Sequence, residues 1–288
     1  MSSRADPIEA SDAFQLWRPV EPSGAPSSPL VVSVPHAGTE VPDVDAPLLR
    51  ANGAALLRDA DAFVDRLVAK APALGAPLLV ARVSRYVLDL NRAPDDVDHE
   101  VCPEVERPAR ASARGLVWRT STDGVALMTR PLTRAELRSR VERLHAPYHA
   151  ALASLLEERR QHFGFAVLLD AHSMPSTGRL GHSDPGARRA DIVPGDVRGS
   201  SCAPSLSRLV AEHFATAGFR VKANDPYMGG YITRAHGRPA RGIHAIQLEV
   251  NRDLYLEEDA VRFEAARAER LIPAMDALME RLRAWRPS

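Results

Sequence analysis

Several apolar segments of the sequence end in side chains that could do chemistry. FAVLLDAHS, residues 165–173, passes from an apolar run to an acid, an imidazole and a hydroxyl. A polar group buried at a strand end without a partner costs several kcal/mol, so each must be paired, hydrogen-bonded or bound to a metal. Ligands bind at the carboxyl ends of strands in α/β sheets, so we expect one shared cleft. The groups are His36 after LVVSV, Asp89, Asn91 and Arg92 after RYVL, Asp170 and His172 after AVLL, and Glu249 in IHAIQLEV.

These residue types together indicate hydrolysis assisted by a metal ion. Two histidines and one carboxylate with an open fourth position are the ligands of hydrolytic zinc, and a further glutamate could activate the bound water. Two other interpretations stay open at this point. A single DxH is commonly a satisfied core histidine beside a capping aspartate, and Ser173 next to His172 could suggest a nucleophile. Neighbouring residues on a strand point to opposite faces, however, and the chain lacks the GxSxG sequence of serine hydrolases.

The periodicity of apolar residues predicts the elements that must position these groups. Short apolar runs predict buried strands at 30–34, 78–90, 165–173, 219–222 and 243–250. Helical spacing predicts helices over 60–74, 133–163, 204–217 and 258–285, with Asp59 and Asp61 in the first turn of the first one. Thr133 and Glu136 have the spacing of a capping box, and Pro147 predicts a kink. Strands that alternate with helices predict an α/β fold with three layers, α/β/α.

Two segments lie outside this alternation. Residues 1–29 are rich in proline, serine and alanine, which predicts a loosely ordered arm that contacts the fold near residue 30 through Phe14 and Trp17. Residues 30–288 are then expected to form one domain. The polar, irregular stretch 94–129 is longer than an ordinary connection and predicts a loop excursion over the site.

The composition argues against several classes of partner. The 37 basic and 37 acidic side chains balance, so nothing in the net charge favours nucleic acid or an anionic membrane surface. The N-terminus lacks the apolar core of a signal peptide, and no apolar run approaches the ~20 residues that span a bilayer. Cys102 and Cys202 lack metal-binding spacing and are expected to be reduced thiols. We therefore expect a cytoplasmic protein that acts on small molecules, with its oligomeric state open.

Six short segments, taken in order, resemble one known family. They are PHAG (35–38), RDAD (58–61), SRYVLDLNR (84–92), DAHS (170–173), GGYITR (229–234) and HAIQLE (244–249). Together, over about residues 30–260, they resemble the N-formylglutamate amidohydrolase (N-formylglutamate deformylase) family. The Asp-Leu-Asn-Arg segment also resembles aspartoacylases, which are related to zinc carboxypeptidases. The resemblance implies a mixed central sheet in a phosphorylase/hydrolase-like (zinc-carboxypeptidase-like) fold that binds one Zn²⁺ per chain.

The same resemblance implies a set of metal ligands. His36 and His172 correspond to the two histidine ligands. Asp61 matches the third ligand of the deformylase pattern, with Asp59 as a competitor for the role. Carboxypeptidase relatives instead use a glutamate three positions after the first histidine, where this chain has a threonine, and Glu40 is one position later.

Roles for the remaining site residues also follow from the resemblance. Glu249 corresponds to the general base near the metal-bound water. Arg92, helped by Asn91, corresponds to the clamp on the substrate carboxylate, because a guanidinium binds a carboxylate through two hydrogen bonds. Arg85 and Arg234 are candidates for polarising the scissile carbonyl or for holding a second carboxylate. The alternative for both is an arginine that pins a loop or lies at the surface.

The resemblance thus predicts a zinc-dependent amidohydrolase that removes an N-formyl or other small N-acyl group from an acidic amino acid such as N-formyl-L-glutamate, as in histidine degradation. The second hypothesis is a carboxypeptidase-like or aspartoacylase-like hydrolase of larger substrates, and the third is a binding module without metal. Two features depart from the family pattern: the stretch 94–129 with Trp118, and Tyr231 where histidine-utilisation enzymes often have a histidine. His145 and His149 lie four residues apart without an HExxH glutamate, which predicts an ordinary helix face.

Overall fold

A computed structural model describes residues 9–21, 24–106 and 113–287, and within these ranges seven strands form one mixed sheet. The order across the sheet is β1-β2-β4-β3-β5-β7-β6. The central strands β4, β3, β5 and β7 are parallel, whereas β1, β2 and β6 pair antiparallel with their neighbours. Their bounds are β1 Glu9–Ala10, β2 Phe14–Trp17, β3 Leu30–Val34, β4 Leu78–Ala81, β5 Ala166–Met174, β6 Ile192–Gly195 and β7 Ile243–Asn251, and a separate ribbon joins β8 Leu256–Glu257 to β9 Arg262–Phe263.

Helices cover both faces of this sheet, which confirms the predicted α/β/α layers. On one face, Val167 and Leu169 of β5 pack with residues of α1, α4 and α7. On the other face, Leu168 of the same strand packs with α2, α3 and the segment 83–132. This two-sided burial explains why the central strands are predominantly apolar before the polar residues at their carboxyl ends. The helices are α1 Val64–Leu67, α2 Arg134–Arg140, α3 Ala146–Phe163, α4 Pro204–Thr216, α5 Tyr231–His236, α6 Ala265–Ala268 and α7 Leu271–Ala284.

The helix predicted over 133–163 is present, with one irregular turn. Thr133 and Glu136 form the predicted capping box at the start of α2. Between α2 and α3, the residues Val141–His145 form a π-helical turn, in which the N–H of Ala146 donates to the carbonyl of Val141. Pro147 follows directly and has no N–H to continue the α-helical ladder, so the wider turn lies where the regular pattern must break.

The helix predicted over 60–74 is wrong for most of its length. Only α1 and a short 3-10 helix, Ala71–Leu74, are helical there. Phe63 adopts a left-handed backbone conformation with φ 64°, and Pro72 cannot donate a backbone hydrogen bond. The N–H of Asp61 instead donates to the carbonyl of His36 at 2.9 Å. Asp61 therefore lies in an irregular segment that is bonded to the segment after β3.

Four further elements differ from the sequence prediction. The strand predicted over 78–90 ends at Ala81, and the one over 219–222 is a single bridge at Val221. The edge strand β6 was not predicted, because the proline in its sequence IVPG argues against a regular strand and is tolerated only at an edge. The tail helix predicted over 258–285 is divided into the short helix α6 and the longer helix α7. Pro273 is tolerated in α7 because it lies in the first turn.

The predicted N-terminal arm needs a correction in its described part. Residues 1–8 and 22–23 lie outside the described residues. β2, however, pairs with β4 over four residues, and its Leu16 is only 1% exposed. The apolar side chains of β2 complete one edge of the sheet, which a loosely ordered arm would leave uncovered. The division of the chain at residue 30 stays a prediction.

No helix in the described ranges has both the length and the apolar character needed to cross a membrane.

Leu16→Ala tests whether β2 is an integral part of the sheet. Loss of a buried leucine side chain should lower the free energy of unfolding by about 2–5 kcal/mol. The control is Val20→Ala, because Val20 is 88% exposed and its truncation should change stability by less than about 0.5 kcal/mol. Urea unfolding curves measure both values, and equal small effects would indicate that the arm is loosely attached.

Candidate metal centre and active site

One cavity of about 480 Å³ opens at the carboxyl ends of β3, β5 and β7. This is the edge of an α/β sheet at which ligands bind. The cavity brings together side chains that are up to 216 positions apart in the chain, from residue 36 to residue 252. All eight residues predicted for the site line it: His36, Asp61, Arg85, Asn91, Arg92, His172, Arg234 and Glu249.

Three of these side chains, His36, Asp61 and His172, converge on one point. Their ligand atoms lie within 4.8 Å of one another, and each residue is 2% exposed. Nδ1 of His36 lies 3.3 Å from Oδ2 of Asp61, and Nδ1 of His172 lies 3.1 Å from the same oxygen. Burial alone would raise the pKa of Asp61, but the hydrogen bond with His172 and the nearby charge of both imidazoles hold that pKa well below its usual range. Asp61 is therefore an ionised carboxylate between two imidazoles.

A further carboxylate holds the outer nitrogen of each imidazole. Nε2 of His36 lies 2.7 Å from Oδ1 of Asp89, and Nε2 of His172 lies 3.0 Å from Oδ2 of Asp170. The hydroxyl of Ser33 donates to the other oxygen of Asp170 at 2.9 Å. Such pairs place the proton on Nε2 and turn the Nδ1 lone pair inward, as they do for histidines that bind metals.

The donor set fits a bound cation. Each ring has a carboxylate at both nitrogens, but a neutral imidazole carries only one N–H. Nδ1 of His36 is buried and makes no hydrogen bond, although it faces Asp61. Two lone pairs that face each other in a buried site repel unless a proton or a metal ion lies between them. Although burial opposes it, Asp170 and Asp61 raise the pKa of His172 well above its usual range, so a proton takes this place on that ring in the absence of a metal ion. The group can therefore hold a metal ion, and two imidazoles with one carboxylate suit a divalent transition metal.

The charges around the site support the same conclusion. Five buried carboxylates line or adjoin it, and three arginines with side chains at most 14% exposed accompany them. If all eight groups are ionised, two negative charges remain, which one divalent cation would balance. The carboxylates are Asp59, Asp61, Asp89, Asp170 and Glu249, and the arginines are Arg85, Arg179 and Arg252.

Arg252, which sequence reasoning did not identify, fixes the orientation of Asp61. Its Nη2 donates to Oδ1 of Asp61 at 3.2 Å and to the carbonyl of Ala60 at 2.6 Å. Its Nε donates to the hydroxyl of Ser173 at 3.2 Å, and that hydroxyl is 3.3 Å from the same Oδ1. One oxygen of Asp61 is thus held by the protein and the other faces the histidines. Ser173 serves this contact, and no serine nucleophile is formed with His172.

Neither competitor of Asp61 lies with the two histidines. Asp59 accepts hydrogen bonds from the Tyr86 hydroxyl at 2.7 Å, from the N–H of Thr122 at 3.0 Å and from Arg179 at 3.0 Å. Both carboxylate oxygens of Asp59 therefore already accept hydrogen bonds from the protein. Glu40 is 54% exposed and pairs with an arginine at the surface. Of the three carboxylates considered from the sequence, the structure brings only Asp61 to the histidines.

Glu249 lies beside His172 on the neighbouring strand. The two residues are direct partners in the register of β5 and β7. Nε2 of Gln247 donates to Oε1 of Glu249 at 2.9 Å. Burial raises the pKa of Glu249, although the nearby His172 acts in the opposite direction. A buried carboxylate with a raised pKa, next to a metal-capable group, has the properties of a proton acceptor.

Asp89 connects four parts of the site. Its Oδ1 accepts from His36 and from the N–H of Asn91 at 2.9 Å, and its Oδ2 accepts from Arg85 at 2.7 Å and from Nε1 of Trp118 at 3.0 Å. Burial alone would raise the pKa of Asp89, but Arg85 and His36 hold it well below its usual range. The guanidinium of Arg85 also lies 4.4 Å from the centre of the Trp118 ring, and its buried Nε has no hydrogen-bond partner in the described chain.

The other predicted residues differ in how firmly the protein holds them. The side chain of Asn91 is held by the protein itself, since its Oδ1 accepts a hydrogen bond from the N–H of Ile232 at 2.8 Å. Arg92 donates through Nε and Nη1 to the carbonyls of Arg114 and Asn91, which orients the guanidinium at the cavity. The guanidinium of exposed Arg234 has no hydrogen-bond or ion-pair partner among residues 9–21, 24–106 and 113–287.

The stretch 94–129 forms part of the cavity wall through Arg114, Trp118 and Thr122. Its length and polarity predicted an excursion over the site, but not the bond from Trp118 to Asp89. Gln247 and Tyr227 also line the cavity and were not identified. Gln247 lies two residues before Glu249 on the same strand, so the alternation of a strand could have identified it. No spacing in the sequence points to Tyr227.

Comparisons with known proteins agree with one another. The family model described as N-formylglutamate amidohydrolase matches residues 28–256. The chain is 38% identical over 268 residues to an N-formylglutamate deformylase of Pseudomonas aeruginosa and 34% identical over 262 residues to one of Pseudomonas putida, in each case covering 89% of this chain and 93% of the relative. The crystal structure of N-formylglutamate amidohydrolase from Ralstonia eutropha JMP134 has a TM-score of 0.83 and 33% identity, covering 95% of this chain and 98% of that one.

Asp61→Asn and Glu40→Gln form a matched pair that tests the metal-capable group. Asp61→Asn keeps the shape but removes the charge between the two imidazoles, so affinity for a divalent metal should fall by roughly 100-fold or more. Glu40→Gln should bind metal like the wild type. Mass spectrometry of metal content after dialysis against graded chelator gives both affinities, and loss of metal from Glu40→Gln alone would favour the carboxypeptidase spacing.

Proposed function

Because the chain belongs to the N-formylglutamate amidohydrolase family, we propose that it hydrolyses the formyl amide of N-formyl-L-glutamate to formate and L-glutamate. The observation that carries this proposal is the buried His36, Asp61 and His172 group with Glu249 beside it in a cavity rich in arginines. The three-residue group can hold a cation, Glu249 can accept a proton, and the arginines can bind the carboxylates of an acidic substrate.

We propose zinc as the cation. Two imidazole nitrogens and one carboxylate oxygen form the ligand set of catalytic zinc, whereas magnesium prefers oxygen ligands alone. His36, His172 and Oδ2 of Asp61 would hold the ion. When bound there, zinc is a Lewis acid that makes water a nucleophile near neutral pH. Asp89 and Asp170 keep the histidines in the tautomer that binding requires.

Glu249 is the proposed general base. Its carboxylate takes the proton from the water that attacks the formyl carbon, and returns it to the amide nitrogen as the carbon–nitrogen bond breaks. The supporting features are its burial, its raised pKa and its position beside His172. The bond from Gln247 holds the carboxylate still without supplying a competing charge.

Arg85 is the proposed electrostatic stabiliser of the formyl oxygen. Its guanidinium is fixed by Asp89 and stacked on Trp118, so it needs no reorganisation when negative charge develops on the substrate. Its buried Nε has no partner among the described residues, which leaves one donor for a ligand. Desolvation makes such a donor more effective than it would be in water.

Arg92 and Arg234 are the proposed partners of the two substrate carboxylates. Both line the cavity, and guanidinium groups bind carboxylates through paired hydrogen bonds. Asn91 supports them indirectly, because its side chain joins the segment of Arg92 to the first turn of α5. A substrate with two carboxylates would therefore be held at both ends while its formyl group faces the metal-capable group.

We propose the cytoplasm as the site of action. Cys102 and Cys202 are free buried thiols, which suits a reducing compartment.

The purified protein should release formate from N-formyl-L-glutamate, and the reaction should stop in excess chelator and return with added zinc. Activity on N-acetyl-L-glutamate and on a dipeptide with C-terminal glutamate should be much lower. A coupled formate dehydrogenase assay measures the first reaction, and amine release measures the other two. Preference for the peptide would instead support the carboxypeptidase-like hypothesis.

Glu249→Gln should keep the metal and the affinity for substrate but lose turnover. The amide has nearly the shape of the carboxylate and cannot accept the proton, so kcat should fall by about 10²–10⁴-fold. Steady-state kinetics and metal analysis on the same preparation separate the two effects. A variant with near wild-type kcat would remove the general base role from Glu249.

A further inference from the structure

Three histidines, His145, His149 and His236, form a connected cluster beside the cavity, and we refer to them as the histidine trio. The rings of His145 and His149 stack with centroids 4.2 Å apart, and Nδ1 of His149 lies 2.9 Å from Nε2 of His236. Within the described ranges, the metal-capable group does not include them. His145 and His149 share one helix face, and both rings lie within hydrogen-bond distance of the backbone of the segment 90–92.

The hydrogen bonds of the trio assign its protons. Nε2 of His145 lies 3.0 Å from the carbonyl oxygen of Arg92, and Nε2 of His149 lies 2.9 Å from that of Leu90. A carbonyl oxygen can only accept, so both Nε2 atoms carry hydrogen. Burial lowers the pKa of His149 to about 3 and that of His236 to about 4, so both rings are neutral at pH 7. Nε2 of His236 therefore donates to Nδ1 of His149.

The trio joins the two structural segments that carry the proposed carboxylate-binding arginines. Arg92 is the last residue of the segment 90–92, and both carbonyls that flank Asn91 are held by the trio. Arg234 lies on α5, which ends at His236. Asn91 connects the segment to the first turn of α5, and the trio connects it to the last residue. The two segments are thus bonded to each other at two points.

We propose that the histidine trio fixes the spacing between Arg92 and Arg234 and thereby selects substrates with two carboxylates. This inference rests on the proposed function and deepens it. The three histidines are positioning residues, since none of them lines the cavity. Neutral rings suit this role, because they hold the backbone without adding a charge that would compete with the arginines for the substrate. The packing of the Tyr231 ring against His145 and His149, with centroids 5.7 and 5.2 Å away, stiffens the same junction.

The test compares His149→Phe and His236→Phe with His213→Phe. Phenylalanine keeps an aromatic ring but removes the hydrogen bonds. His213 is a suitable control, because it is also buried and its Nε2 lies 2.8 Å from a backbone carbonyl, but that carbonyl belongs to Ala274 in α7 and not to the segment 90–92 or α5. KM and kcat are measured for N-formyl-L-glutamate and for N-formyl-L-glutamine, which has nearly the same shape and one carboxylate fewer. Metal content is measured on the same samples.

His236→Phe loses one hydrogen bond and His149→Phe loses two, so KM for N-formyl-L-glutamate should rise by about tenfold in the first variant and by more in the second, with kcat within about twofold and the metal retained. KM for N-formyl-L-glutamine should change little, so the preference for glutamate falls. The His213 variant should keep the wild-type preference. His149→Gln keeps an amide donor for the carbonyl of Leu90 and an amide oxygen that can accept from His236, so it should retain most of the wild-type preference.

Three outcomes would overturn the inference: an unchanged preference in the trio variants, an equal loss in the His213 variant, or a fall in kcat with KM unchanged. If His149→Phe does not fold, His236→Phe and His149→Gln decide the question. Failure of the proposed function is recognised separately, since the wild-type protein would then not hydrolyse N-formyl-L-glutamate. In that case the same variants are compared on a pair of acyl amino acids that the wild type does hydrolyse, one with two carboxylates and one with one carboxylate.

Discussion

The carboxylate of Asp89 is the constraint on which the rest of the site depends. It accepts hydrogen bonds from His36, from the backbone of Asn91, from Arg85 and from Trp118. His36, Arg85, the segment of Asn91 and the excursion 94–129 are therefore adjusted to one another through a single buried group. An ionised group at 0% exposure is costly unless all its lone pairs are used, and here four donors use them. The same requirement limits how far any of these four parts can move alone.

Without a bound cation, the buried charges of this site destabilise the folded protein. The core on both sides of the sheet is apolar and closely covered, whereas the cavity collects carboxylates whose mutual repulsion the buried arginines only partly offset. Binding of a divalent ion to the folded chain alone would favour folding by mass action. A bound ion and the fold would therefore stabilise each other, and the apolar core under the helices offsets the cost of the polar cavity.

Sequence reasoning found the parts of the site that lie on or next to regular strands. His36, His172 and Glu249 follow or end apolar runs, and β3, β5 and β7 were placed close to their observed bounds. Asp61 was identified through the family resemblance, while the helix assigned to its segment was wrong, because the backbone bond to His36 and the left-handed Phe63 depend on tertiary contacts. The role of Arg252 had no local signal, since three of its acceptors lie about 190 positions earlier in the chain. Apolar periodicity reports burial, and it carries no information on which distant polar groups meet.

The π-helical turn between α2 and α3 has a consequence for the phase of the whole helix. Each residue of an α-helix advances about 100° around the axis, so one additional residue in a turn rotates everything that follows relative to everything before. The turn allows Leu137 and Arg140 on one side of it and Tyr148 and Leu152 on the other to be buried together. Deleting one residue from Val141–His145 would remove the wider turn and rotate the second half of the helix by about 100° relative to the first. The one additional residue in this turn therefore determines which side chains of α3 face the core.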